Sequence, residues 1–347
     1  MLTNSTWDAI MGGDGMECAI DHYDDDIIYA EYQYGGLRKT NNGGNNWSYI
    51  KPVNYEGGWN TPYKMHPINN NLIVAGYDEV YRSETAGAIW DSVSFNVSNG
   101  ASIRSIALAA SDEDYMYAGT YSRLKVTKDA GVTWTNIKSG LPNYNITDIT
   151  VSDNNPDRAW VSLSGYSNNY KVYETNDAGS TWVNITENGL PNLPANCIVH
   201  QGGANDDLYV GTDVGVYHKD NTMTDWMPYM TGLPNVIVKE LEIHYTAGTL
   251  SAATFGRGVW ESPLNTLSTT INNIEALHFS IYPNPANNKI TINTTQQHIL
   301  VSIYNITGKK VIETTKKTIN TSSLSKGCYI IEIKSNETIK REKLIIE

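Results

Sequence analysis

Two aspartates and a set of aromatic rings are the residues of this 347-residue chain best suited to act on a ligand or hold one. Asp78 and Asp213 fall in comparable loops. Cleavage of a glycosidic bond needs two carboxylates about 5–10 Å apart, so this pair is the candidate for catalysis. The aromatic set is larger. Tyr32, Tyr34, Tyr77, Tyr121, Tyr166, Tyr170 and Phe255 each follow a strand-like run, and Trp59, from a longer loop, and Arg257 join them. Rings of this kind stack on sugar faces or grip an extended peptide. Their plainer use is to wedge between packed sheets.

Other chemistries find little support. His22, His66, His200, His218 and His244 show no metal-ligand spacing. Asp24-Asp25-Asp26 lacks the spaced oxygens of a calcium loop. Gly12-Gly13-Asp14-Gly15 is not followed by the Lys-Ser/Thr of a phosphate cradle. No metal and no cofactor are therefore expected. The net charge of -12 argues against a nucleic-acid partner, and no apolar run approaches the ~20 residues of a membrane span. Cys18, Cys197 and Cys328 form no disulfide framework and read as small buried hydrophobes.

What positions the candidate residues is a repeat. Thr40–Trp47, Ser83–Trp90, Thr127–Trp134, Thr175–Trp182 and the looser His218–Trp226 end alike, their tryptophans 43, 44, 48 and 44 residues apart. That period is one propeller blade of four strands. Asp129 and Asp177 suit turns that accept backbone N–H groups, with Asn42 at the same place in the first copy. Gly44, Gly87, Gly131 and Gly179 stand where a hairpin needs positive φ. Trp47, Trp90, Trp134, Trp182 and Trp226 then bury an indole between blades. A sixth strand pattern begins at Leu250, and Ser5–Ile10 reads as the outer strand that completes it. The expected fold is all-β, a propeller of six blades or possibly seven over residues 1–262.

These segments resemble the Asp-box (BNR) motif, S/T-x-D-x-G-x-T-W, which Thr127–Trp134 and Thr175–Trp182 match in full. The motif implies a propeller but no single activity, since it stands in sialidases, xyloglucanases, sortilin-like receptors and assembly factors. Ile28–Arg38 is similar to the first-blade strand of xyloglucanases, where a catalytic Asp precedes a Gly-Gly pair. Gln33 takes that place here and cannot act as a general base. Glu31 is expected to face elsewhere. The resemblance also places the tyrosine loops around the channel mouth, opposite the box turns.

After a Thr- and Asn-rich linker at 263–278, the composition changes. Residues 266–347 carry ten basic and six acidic side chains, against fifteen and thirty-one before them. Short alternating strands over 279–347 suggest a small immunoglobulin-like sandwich. Tyr282-Pro283-Asn284-Pro285, the IYNITGKKV run, the Leu324–Tyr329 corner and the closing KLIIE resemble the type A sorting domain of the type IX secretion system, found on proteins exported by Bacteroidetes. That resemblance implies secretion or attachment at the outer-membrane surface, with the secretion machinery and its sortase as partners of residues 279–347. The combined expectation is an exported, non-catalytic propeller that binds a glycan or protein ligand. The alternative is a glycoside hydrolase acting on polysaccharide.

Overall fold

The computed structural model describes residues 9–167, 169–203, 205–265, 279–294, 299–335 and 338–347. The chain divides into two compact units, Met1–Asn265 and Thr266–Glu347.

The first unit is a ring of six antiparallel sheets, five of four strands and one of three among the described residues. In the first sheet the order is Gly15–Ile20, Ile27–Tyr32, Gly36–Asn41 and Ser48–Tyr49. The innermost strands of the other sheets are Tyr63–Met65, Ser105–Ala109, Ile146–Val151, Ala195–Gln201 and Val238–His244. All six inner strands line one axial cavity of about 310 Å³. Second strands such as Ile73–Gly76 and Ala159–Leu163 are buried at every position. Neighbouring blades cover both of their faces, which is why they read as unbroken apolar runs rather than alternating ones.

The boxes explain their own residues. Thr127 Oγ1 accepts from Gly131 N at 2.9 Å, and Asp129 Oδ1 accepts from Thr133 N at 2.8 Å. Thr175 and Asp177 repeat both bonds at 2.7 and 2.8 Å. Where the aspartate is missing, another oxygen takes its place: Asn42 Oδ1 accepts from Asn46 N, and Thr85 Oγ1 from Ile89 N. Gly131 has φ +94°, and a Cβ there would stand 2.3 Å from Val93 O, so only glycine fits.

Each indole then reaches back one blade. Trp90, Trp134, Trp182 and Trp226 donate Nε1–H to the carbonyls of Ile50, Val93, Ile137 and Ile185 at 2.7–2.9 Å. Each of those carbonyls belongs to the residue just after the preceding blade's outer strand. Trp47 makes the same bond to Ile10 O at 2.9 Å. Ile10 thus stands where the sixth blade would present its own carbonyl. Residues 5–8 of the expected closing strand lie outside the described residues.

The first unit runs beyond the expected boundary at 262. Pro263 ends the strand Gly258–Pro263, Leu264 is buried, and Asn265 N donates to Tyr209 Oη at 2.7 Å. The three thiols are free, but only Cys197 is buried; Cys18 and Cys328 are exposed, against the expectation of three buried hydrophobes.

The second unit is a sandwich. Phe279–Tyr282, Lys289–Thr294 and Thr318–Asn320 form one sheet. Lys310–Thr314, Leu300–Asn305, Gly327–Ser335 and Thr338–Ile346 form the other, in that order. Alternating residues such as Ile290, Ile292, Val301, Ile303, Ile331 and Ile333 make a single core.

Candidate ligand-binding face and axial channel

One end of the ring carries the turns between second and third strands together with the connections from blade to blade. The longest connection, residues 50–62, is strapped to the first-blade turn. Tyr34 N donates to Trp59 O at 3.2 Å, and Gly57 N to Tyr34 O at 3.0 Å. Glu31 fastens the strap from beneath, its Oε1 accepting Gly35 N at 3.0 Å and Thr61 N at 2.9 Å. Burial pushes the Glu31 carboxyl up to about 7.

The rings on this face divide into two sorts. Tyr34 and Trp59 pack edge to face at 5.1 Å while remaining 37% and 50% exposed. Tyr121 is also half-exposed, with the Arg104 guanidinium 4.9 Å from its ring centre. Tyr166, Tyr170, Phe255 and Arg257 are exposed, and Tyr170 leans on Tyr144 at 5.9 Å. Tyr77 differs. It is buried and its hydroxyl donates to Gly35 O at 2.6 Å, so it carries the turn rather than meeting solvent. Tyr32 is half-buried, its ring filling the space beside Gly13 and Gly36.

The aspartates are not brought together. Asp78 and Asp213 stand in the second and fifth blades, on opposite sides of a six-membered ring. Asp78 accepts from Tyr55 Oη, which also meets Tyr81 Oη at 2.6 Å, and Asp213 accepts from Asn196 Nδ2 at 3.0 Å. Partial burial and the Asp78 carboxylate both raise the Tyr55 phenol, which makes it a donor rather than a nucleophile. Gln33 Oε1 is buried without a partner.

The channel holds charges that no linear motif announced. Lys64 Nζ lies 3.8 Å from Glu17 Oε2 and 3.8 Å from Glu240 Oε1, linking the first, second and sixth blades. Asp148 Oδ1 accepts from Ser105 Oγ at 3.2 Å and Asp148 Oδ2 from Ile198 N at 3.1 Å, joining the third, fourth and fifth. Burial raises Glu17 to about 7 and moves Asp148 upward. Glu17 and then Glu240 hold Lys64 above the usual lysine range, so it stays positive. Alternating positions on separate inner strands supply these groups, a pattern visible only once the strands are aligned in space.

Comparison with known proteins bears on both units. Residues 280–347 match the family described as the secretion system C-terminal sorting domain. A search of the curated proteins finds no match. Among solved structures, the chain resembles PorZ, a surface component of the type-IX secretion system of Porphyromonas gingivalis. That likeness has 13% identity and a TM-score of 0.53 over 99% of this chain and 61% of PorZ. A GH74 xyloglucanase from Xanthomonas campestris aligns at 13% identity and TM-score 0.56, over 94% of this chain and 58% of the enzyme. A component of the COPII outer coat vertex aligns at 13% identity and TM-score 0.59, over 91% and 89%. The chain spans about three-fifths of the length of the first two. At such identity these likenesses establish architecture alone. Among the described residues no helix is long and apolar enough to cross a membrane. The chain is a β-propeller joined to a type IX secretion sorting domain, and that tail marks it as a protein secreted or attached at the cell surface.

Proposed function

We infer that this exported propeller is a non-catalytic binding module, taking a glycan or protein ligand at the face that carries Tyr34, Trp59 and Tyr121. The observation behind this reading is the Tyr34–Trp59 pair: two half-exposed rings, one on the first-blade turn and one on the strap, held together by two backbone bonds and a buried glutamate. Rigid aromatic surface that costs little ordering on binding is what a sugar ring or an extended chain requires. Exposed Phe255, Tyr166 and Arg257 extend the same face around the ring. The separation of Asp78 from Asp213 weighs against hydrolysis by that pair. Residues 279–347 would deliver the module through the secretion machinery and its sortase.

A glycan array with the full chain tests the reading. Binding without product release is expected, and Trp59→Ala should weaken it at least about tenfold, as loss of a central aromatic anchor does. Binding that Trp59→Ala and Tyr34→Ala leave unchanged would remove the face from consideration. A release of reducing sugar that Asp78→Ala and Asp213→Ala abolish would replace binding with hydrolysis.

A further inference from the structure

The fifth box breaks the rule that the other four obey. Its first residue is not a hydroxyl but His218, where Thr40, Ser83, Thr127 and Thr175 stand in the others. Each of those hydroxyls accepts from the box glycine's N–H at 2.7–3.1 Å. An imidazole there forgoes that bond, so the exchange calls for a different reason. His218 turns under the strand instead, its Nε2 2.6 Å from Asp207 Oδ1. Asp220, at the box-aspartate position, completes a group whose ligand atoms all lie within 4.8 Å of one another. Asp207, His218 and Asp220 are only 4%, 6% and 8% exposed.

Two further features fit a metal. The Asn265 carboxamide reaches the same point, with Nδ2 2.6 Å from Asp207 Oδ1 and 3.4 Å from His218 Nε2. A half-turn of that amide presents its oxygen there instead. The surrounding partners hold the donors in place. Thr222 N and Oγ1 fix Asp220 Oδ1 at 2.8 and 2.7 Å, and Tyr209 packs its ring 5.0 Å from that of His218. Outer bonds of this kind orient metal ligands.

We propose that Asp207, His218 and Asp220, with the Asn265 amide as a fourth donor, bind a zinc-class divalent cation that staples the end of the propeller chain to its fifth blade. One nitrogen and two or three oxygens close together suit a first-row metal at about 2.0–2.2 Å from each donor. Calcium and magnesium prefer larger, all-oxygen shells. Asn265 comes two residues after the end of the sixth blade's last strand, and its other contacts, to Tyr209 and Gln201, already lie on the fifth. The cation would therefore join two blades.

The test uses the full chain without an affinity tag, stripped with chelator and titrated with Zn²⁺ alone by calorimetry, and separately with Co²⁺ followed by visible absorption. One equivalent of Zn²⁺ is expected to bind and to raise the melting temperature, with Co²⁺ giving the intense bands of a four-coordinate site. Asp207→Asn and His218→Gln should each weaken binding at least about tenfold, while Asp129→Asn in an ordinary box leaves it unchanged. Should His218→Gln fail to fold, Asp220→Asn serves in its place. Absence of binding in the native chain overturns the proposal. So does binding that all the folded variants retain, or Co²⁺ spectra of a six-coordinate, solvent-exposed ion.

Discussion

The box rim and the opposite face are two ends of the same four-stranded unit, yet they use their residues in contrary ways. At the rim the first four blades repeat one solution, in which a hydroxyl, a side-chain oxygen and an indole N–H all find partners inside the fold. At the face the blades diverge. Blade one presents a tyrosine in left-handed backbone, blade two a buried tyrosine with an exposed strap, and blade six a bare phenylalanine. Repetition here marks what closes the ring, and irregularity marks what is free to meet a ligand.

Three measurements can break or sharpen that contrast. The largest effect belongs to the rim. Trp226 is 1% exposed and its N–H reaches Ile185 O at 2.9 Å, so Trp226→Ala should cost about 3–5 kcal/mol of stability, read from denaturant midpoints. A loss below about 1 kcal/mol would mean the indoles are not what binds blade to blade. The second effect lies under the face and depends on pH. Glu31 keeps its proton to about 7 when folded, whereas the unfolded chain releases it near 4.5. The folded state therefore binds more protons between those values, and stability should fall as pH rises through that window. Glu31→Gln keeps the Oε1 acceptor and should flatten the slope of melting temperature against pH; an unchanged slope would assign it to Glu17 and the channel instead. The smallest effect is on the face itself. Tyr34→Ala should move stability by no more than about 0.5 kcal/mol, and a larger loss would show that the ring holds the strap rather than awaiting a partner.

The same contrast decides how much was legible before the fold was known. The propeller could be read because the first four Trp-terminated turns close their turn hydrogen bonds within eight residues, down to the oxygen of Asn42 or Thr85 that stands in for aspartate. The sandwich could be read because its strands alternate and share one core. The face was legible only as a set of tyrosines. Which of them points outward depends on the residues 50–62 strap and on where Gly35 accepts a bond, and Tyr77 was misplaced for that reason. Glu17, Lys64, Asp148 and Glu240 were silent, because they come from four different inner strands. Asp207 and His218 lie eleven positions apart on paired strands and matched no linear spacing.

The bond from Trp47 to Ile10 gives the ring a mechanical weak point. The other four indoles bond to a residue that directly follows an outer strand, whereas this one bonds to Ile10, which lies ahead of the first sheet. Tension applied at Ile10 would load that single bond directly, whereas the other four indoles would feel it only through the sheets between them.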